Sequence, residues 1–218
     1  DLTLGARGTV FTTRAGASTD PTLGGQSIAD AWVGFYGDDA RDADRVEGAG
    51  AATAVLEWSP IVELELYIGT ALTMRPAGLT ERYFAYGPAP GGFQVGNPTL
   101  DSEIKWDASI GGHLTLPWLE ARAAFFHAWL PTFVYQAPIE RRDVNGDGNE
   151  DLIRGFENIS AQLMGAELSA TFRVGELLSF PISLSWVRGW NRTNDRDLPE
   201  IPPFEARVAA RFVWNRTP

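Results

Sequence analysis

Strand-like segments in this chain are joined alternately by long and by short connections. Each segment is about ten residues long and carries apolar side chains at every second position, with polar or charged side chains between them. This period of two is typical of a β-strand with one apolar face. About eight such segments lie within residues 2–11, 52–58, 64–75, 104–114, 119–129, 166–174, 180–187 and 204–214.

The connections predict how these strands are arranged. Short turns fall at Ser59-Pro60, at Pro117 and at Gly175-Glu176. Long loops are expected at about 14–49, 76–101, 131–160 and 188–203. Strands of this length, with short turns on one side and long loops on the other, are what a transmembrane β-barrel requires. We therefore predict an all-β fold of antiparallel up-and-down transmembrane strands, with residues 1–218 forming a single barrel segment.

Aromatic and charged residues support the membrane interpretation. Tryptophans fall near the predicted strand ends, at Trp58, Trp118, Trp129, Trp190 and Trp214. Tryptophan prefers a membrane interface because its ring is apolar and its edge is polar. The polar faces mix charges of both signs, which suits a wet lumen wall with cross-strand ion pairs. The alternative is the solvated outer face of a soluble sandwich.

Composition excludes several classes of function. The net charge is −10, whereas nucleic-acid binding needs a basic surface. The chain has no cysteine, so a disulfide scaffold and a thiolate metal site are excluded. No apolar run is long enough for a transmembrane helix. His113 and His127 have no nucleophile motif near them, so we expect lumen or interface residues and no enzyme.

One polar stretch has the spacing of a calcium loop. Oxygen-bearing side chains recur at alternate positions, namely Asp143, Asn145, Asp147, Asn149 and Asp151. Gly146 and Gly148 allow a tight turn between them. Ca²⁺ takes six to eight oxygen ligands, so the stretch predicts a structural Ca²⁺ site, with Asn149 contributing its backbone carbonyl. Arg154 stands where an EF-hand has its bidentate Glu. The alternative is a solvated polar turn.

Four short motifs resemble, in order, those of TonB-dependent outer-membrane receptors. Arg75-Pro76 is followed by Glu81-Arg82-Tyr83, and Asn97-Pro98-Thr99-Leu100 with Glu103 resembles the family's N-P-x-L-x-x-E run. Gly165-Ala166-Glu167-Leu168 is similar to a strand motif, and Leu198–Pro203 resembles the P-x-I-P-P run before a later strand. The resemblance spans about 75–214.

The resemblance implies a bacterial outer-membrane, multi-pass protein whose strands belong to a 22-stranded barrel. It also implies energy-coupled import of a scarce small-molecule nutrient, such as a metal chelate. The implied partners are membrane lipid, lipopolysaccharide and a TonB-type energy-coupling protein that acts through a plug domain outside this chain. Nucleic acid is not an implied partner.

The sequence departs from the family pattern at both ends. It has no amino-terminal plug domain and no energy-coupling box, and Asn215–Pro218 lacks a terminal aromatic residue. These departures lead us to expect an internal to carboxyl-terminal part of a larger receptor. The alternative is a complete eight-stranded structural or adhesive outer-membrane barrel.

Overall fold

The computed structural model describes residues 1–16, 18–22, 25–89 and 92–214. The strands are β1 (Leu2–Thr13), β2 (Arg45–Ile61), β3 (Leu64–Arg75), β4 (Ala85–Ala89), β5 (Gly92–Val95), β6 (Glu103–Leu116), β7 (Leu119–Arg142), β8 (Asp151–Val174), β9 (Leu178–Asn191), β10 (Arg196–Asp197), β11 (Glu205–Val208) and β12 (Arg211–Phe212). The helices are α1 (Ile28–Tyr36), a 3₁₀ turn at Asp38–Arg41 and α2 (Leu79–Tyr83). None of the described helices is long and apolar enough to cross a membrane.

The main sheet is antiparallel, and its long strands follow one another in chain order. Their order is β1, β2, β3, β6, β7, β8 and β9, with β11 and β12 sharing the eighth position beside β9. The predicted all-β, up-and-down arrangement is confirmed. Within the described residues, β1 pairs with β2 and no ladder joins β1 to β11 or β12. These strands therefore form an open sheet.

The loop predicted at 131–160 is wrong over most of its length. β7 continues to Arg142 and β8 begins at Asp151, so the two strands form a tall hairpin whose connection is residues 143–150. The segment is rich in the β-branched and aromatic residues that favour strands. Its two prolines, Pro131 and Pro138, lie at register shifts, where a bulge tolerates the missing backbone donor.

The other long loops also contain structure that the sequence pattern missed. β2 begins at Arg45, and α1 lies within the segment before it. Ser27 caps α1 by accepting a hydrogen bond from the Asp30 amide at 3.1 Å. The segment 76–101 contains α2 and the β4–β5 hairpin, and β5 pairs in parallel with β8. β9 extends to Asn191 within the predicted loop at 188–203.

The strand register separates an apolar face from a polar face. One apolar row crosses the sheet through Leu66, Gly112, Ala123, Leu168 and Leu184. The neighbouring polar row contains His113, Arg122, Ser169, Ser183 and Arg207. Large apolar side chains stay exposed on the sheet, with Leu4 at 70% and Val208 at 73%. An exposed apolar face of this extent marks an interaction surface.

Two belts of aromatic side chains border this apolar face. At the long-loop end, Trp106 lies opposite Trp129, and Gln162 separates Trp129 from Trp190 in the same row. At the short-turn end, Trp118 stacks on Phe172 with ring centroids 6.4 Å apart. About eleven residues of a strand tilted by roughly 45° advance about 25 Å, which is the height of the apolar band of a membrane barrel.

The buried clusters all lie at the long-loop end. The first joins α1 to the β4–β5 hairpin and to the β7–β8 hairpin. The second packs Leu198 against β7 and β8, and the third contains Ala77, Leu100 and Val134. We call α1, α2, the segment 84–102 and the upper β7–β8 hairpin, together, the cap. The fold thus combines a sheet without a sealed core and a packed cap at one end of it.

Candidate ligand-binding mouth

Charged residues of the first two motifs meet in one ion-pair network at the base of the cap. Arg75, at the end of β3, donates to Glu81 of α2 at 2.9 and 3.3 Å and to Glu103 of β6 at 3.2 Å. Glu81 also accepts the Gly78 amide, and Glu103 accepts the Val134 amide at 3.1 Å. One guanidinium therefore fixes α2 and the start of β6 relative to β3.

A second, fully buried arginine holds the segment that follows α2. Arg82 is 0% exposed and donates to Glu47 of β2 at 2.7 Å and to the Leu100 carbonyl at 2.9 Å. Its Nε and Nη1 atoms have no hydrogen-bond partner among the described protein groups. Removing a charge from water is costly unless it is paired, so Glu47 is essential to this arrangement.

Asn97 and Asn158 attach the N-P-x-L-x-x-E segment to the tall hairpin. Asn97 donates to the Phe156 carbonyl at 2.9 Å and accepts both the amide and the hydroxyl of Thr99. Asn158 accepts the Asp101 amide at 2.8 Å and donates to the Thr132 carbonyl at 3.0 Å. Asn97 and Asn158 thus join, by hydrogen bonds, two segments that are far apart in sequence.

The centre of the cap is an aromatic cluster around α1. Trp32 is 1% exposed, and its indole donates to the Phe84 carbonyl at 3.0 Å. The Tyr36 hydroxyl donates to the Val95 carbonyl at 3.3 Å and accepts the Phe156 amide at 3.2 Å. Burial raises the pKa of Tyr36 to about 12. Gly155 leaves room for this hydroxyl, because a Cβ at that position would collide with it.

Arg142 connects the hairpin to the rest of the cap. Its guanidinium lies over the rings of Phe35 and Tyr86, 5.2 and 5.7 Å from their centroids. It also donates to the Tyr86 hydroxyl, as does Gln26 at 2.8 Å. Tyr86 has a φ of 54°, a conformation that non-glycine residues rarely adopt, and burial raises its pKa.

A recess of about 330 Å³ opens between α1 and the hairpin. Its lining combines aromatic and aliphatic side chains with an amide and one carboxylate, at Phe35, Tyr36, Asn97, Ile139, Phe156 and Glu157. Apolar walls with a few polar groups are the usual composition of a small-molecule site. No residue of this recess was predicted as a site from the sequence, since its members are adjacent only after the connections fold together.

The predicted calcium loop is turned by its own hydrogen bonds. Asp143 accepts the amides of Gly146 and Gly148 at 2.7 and 2.9 Å. Asn145 accepts the Asp147 amide at 3.0 Å, and Asp147 accepts the Asn149 amide at 2.8 Å. The last bond lowers the pKa of the Asp147 carboxyl below its usual range. Both glycines have a positive φ, of 77° and 86°, as predicted for a tight turn.

The loop has side chains of the type that binds Ca²⁺, but they are not arranged around one point. Its donors are oxygens, which calcium prefers, and Asp151 keeps one buried carboxylate oxygen without a hydrogen-bond partner. Within the described residues, however, no three His, Cys, Asp or Glu side chains are grouped so as to hold a metal ion. The calcium interpretation stays a prediction.

Comparison with known proteins decides which class of barrel this is. The family model described as "TonB dependent receptor-like, beta-barrel" matches residues 1–217. The chain belongs to this family. It is therefore part of a bacterial outer-membrane β-barrel of the TonB-dependent receptor type, and the resemblance found in the motifs is confirmed. In a barrel of this type the apolar face meets lipid and the polar face lines the lumen.

Solved structures of TonB-dependent receptors share this fold at low sequence identity. A structure entitled "Copper transporter OprC" is 23% identical with a TM-score of 0.65, over 79% of this chain and 25% of that chain. The hemophore receptor HasR of Serratia marcescens is 18% identical with a TM-score of 0.56, over 87% and 30% of the two chains. The siderophore receptor PirA of Acinetobacter baumannii is 14% identical with a TM-score of 0.55, over 79% and 29%.

The chain thus spans less than a third of each of these receptors. No curated protein matches it in sequence. The TonB-dependent receptor family consists of receptors and transporters.

Proposed function

We propose that this chain forms part of the wall and of the outer mouth of a TonB-dependent receptor. The receptor would carry out the energy-coupled import of a scarce nutrient, such as a metal chelate. The observation that carries this proposal is the recess between α1 and the β7–β8 hairpin. Several connections of the chain converge at this recess, and hydrogen bonds of their buried side chains hold them together. We take the recess to be a small-molecule pocket on the lumen side of the outer mouth. The coupling protein would be of the TonB type, and the outer surface would contact lipid and lipopolysaccharide.

Gene deletion and uptake measurements test the proposal. Cells that lack the gene are compared with cells that lack TonB for uptake of radiolabelled ferric chelates, haem and Cu(II). We expect both deletions to abolish uptake of the same compound. The proposal would be contradicted if deletion of the gene left the uptake of every compound unchanged. It would also be contradicted if the uptake lost on deletion of the gene did not depend on TonB.

A pair of glycine variants tests whether the recess takes part. Gly155→Leu places a side chain where the Tyr36 hydroxyl lies, whereas the matched Gly8→Leu on β1 meets no atom within 4 Å. Uptake should fall for Gly155→Leu and persist for Gly8→Leu at equal protein levels in the membrane. Equal uptake by the two variants would remove the recess from the proposal.

The alternative of a complete eight-stranded structural or adhesive barrel has less support. Such a barrel closes by pairing its first and last strands. In the described residues β1 pairs with β2, whereas β11 and β12 pair with β9. An open edge of this length invites aggregation unless further strands cover it.

We also propose that residues 143–151 bind one Ca²⁺, which would stiffen the tip of the hairpin. Asp143, Asn145, Asp147 and Asp151 would supply side-chain oxygens and Asn149 its carbonyl. Without a bidentate Glu, the dissociation constant should be on the order of 10⁻⁴–10⁻³ M. Isothermal titration of Ca²⁺ into the protein and into the Asp147→Ala variant tests this. An absence of calcium-dependent heat in both proteins would refute it.

A further inference from the structure

Among the described residues, a single carboxylate supplies the charge of the recess between α1 and the β7–β8 hairpin. Glu157 lies opposite Tyr135 in the hairpin, and Gly155 lies opposite Ala137 on the same face of β8. This is the face on which Gly155 leaves room for the Tyr36 hydroxyl. Because side chains two residues apart in a strand point the same way, Glu157 projects towards α1 and lines the recess.

The Glu157 carboxylate forms no ion pair within the part of the chain that the structure describes. Arg142 pairs with Glu140 at 3.3 Å and is outside the lining of the recess. Arg154 is three residues from Glu157 in the same strand, so it lies on the opposite face of β8. The described lining contains no lysine, arginine or histidine that could neutralise this carboxylate.

The other polar groups of the recess are already hydrogen-bonded. The Tyr36 hydroxyl makes two hydrogen bonds to backbone groups, and the Asn97 side-chain carbonyl accepts two from Thr99. Burial raises the pKa of Tyr36 to about 12, so the phenol is neutral at physiological pH and adds no second negative charge. The charge that a ligand meets in the recess is therefore that of Glu157.

The chemistry of the recess matches an organic cation. A carboxylate attracts positive charge and accepts hydrogen bonds from an ammonium group, whereas it repels a carboxylate or a phosphate. The aromatic and aliphatic lining, which includes Phe35 and Ile139, suits the carbon body that carries the charge. A bare metal ion does not fit, because one carboxylate cannot replace its shell of six or more oxygens.

The size of the recess limits how much of a nutrient it can hold. Its volume of about 330 Å³ is near the lower end of the usual range for small-molecule pockets, roughly 300–1,000 Å³. It therefore accommodates one cationic group of a larger compound, or a small organic cation alone.

We propose that the recess binds a positively charged organic group of the imported nutrient, such as a primary or quaternary ammonium, with Glu157 as its counter-ion. This inference rests on the proposed function of the recess as a small-molecule pocket. It narrows the class of nutrient to compounds that carry such a cation, and Glu157 becomes the residue that determines specificity.

Two probes of similar size and opposite charge test the proposal. Benzylammonium and benzoate are titrated into the whole receptor in detergent, and binding is measured by saturation-transfer NMR. We expect benzylammonium to bind and benzoate to bind at least about tenfold more weakly. Gly155→Leu fills the recess and so gives the background signal of each probe.

Variants of Glu157 show whether this carboxylate causes the preference. Glu157→Gln should weaken benzylammonium binding about tenfold, and Glu157→Lys should reverse the order of the two probes. Glu150→Gln is the matched control, because Glu150 is an exposed carboxylate of the same hairpin outside the recess. The proposal would be overturned if neither probe bound above background, if benzoate bound as tightly as benzylammonium, or if Glu157→Gln bound benzylammonium like the unchanged receptor.

The uptake measurements separate this proposal from the proposed function. Uptake that depends on the gene and on TonB, together with no preference for benzylammonium, would overturn the cation site alone. A preference for benzylammonium that is lost in Glu157→Gln, together with uptake that does not depend on the gene, would overturn the import function and leave the cation site in place.

Discussion

The sheet between the aromatic belts and the cap above it bury their side chains to very different extents. Nearly all of β1 is exposed, whereas Trp32 and Ile153 of the cap are at most 1% exposed. The barrel wall relies on its ladder of backbone hydrogen bonds and on the lipid that covers its apolar face. The cap relies on burial and on polar pairs such as Arg82 with Glu47. The same change in side-chain size or charge should therefore have different effects in the two regions.

The largest effect is expected in the cap, from Trp32→Ala. Truncating a buried Trp costs about 3–5 kcal/mol, because apolar contacts are lost and a cavity remains. Limited proteolysis should then cleave the segment around α1, while the wall stays folded and resists heat in detergent. Trp58→Ala is the control, since Trp58 is 63% exposed. Loss of the whole barrel in Trp32→Ala would contradict the independence of cap and wall.

The next effect concerns the buried arginine. Glu47→Ala leaves Arg82 uncompensated and should cost about 3 kcal/mol. Hydrogen exchange is expected to increase at residues 96–102, which Arg82 and its neighbours hold. Glu47→Ala combined with Arg82→Met should recover part of this loss, because no unpaired charge is then buried. A double variant that is less stable than Glu47→Ala would refute the paired role.

The wall should show an effect of similar size that depends on the face of the sheet. Leu168 lies on the apolar face and Ser169 on the polar face of β8. An arginine near the bilayer midplane on the lipid side costs about 2–4 kcal/mol, so Leu168→Arg should impair folding into detergent or lipid. Ser169→Arg should fold normally. Equal folding yields for the two variants would contradict the assignment of lipid and lumen faces.

The smallest effect is a change with pH at the tip of the hairpin. The amide of Asn149 donates to Asp147 and lowers the pKa of that carboxyl. Because the pKa is lowered in the folded state, the ionised Asp147 carboxylate contributes to the stability of the loop above the ordinary carboxyl pKa. This contribution to stability is lost as the pH falls through the lowered pKa. The Asn149 amide resonance should shift over that acidic range, and the shift should vanish in Asp147→Asn.

Local patterns in the sequence were sufficient to predict the wall. Alternating side chains such as Leu64, Leu66 and Ile68 specify which residues share a face, because the period of a strand is two. Alternating connection lengths then specify antiparallel neighbours in chain order. The tryptophans at strand ends predicted the membrane borders. Two of them, Trp129 and Trp190, share a row of the sheet with Trp106, which was not predicted as a border residue. Each of these inferences needs only neighbours in sequence or in the adjacent strand.

Only the tertiary structure decided how the cap is built. Tyr36, Val95 and Phe156 meet through one hydroxyl although more than fifty residues separate each from the next. The periodicity of apolar residues along the sequence does not indicate such a contact. Its free energy comes from burial, which exists only when the connections pack together. The tall β7–β8 hairpin was missed for the same reason: its prolines and charges resemble a loop, and pairing with a partner strand makes it a sheet.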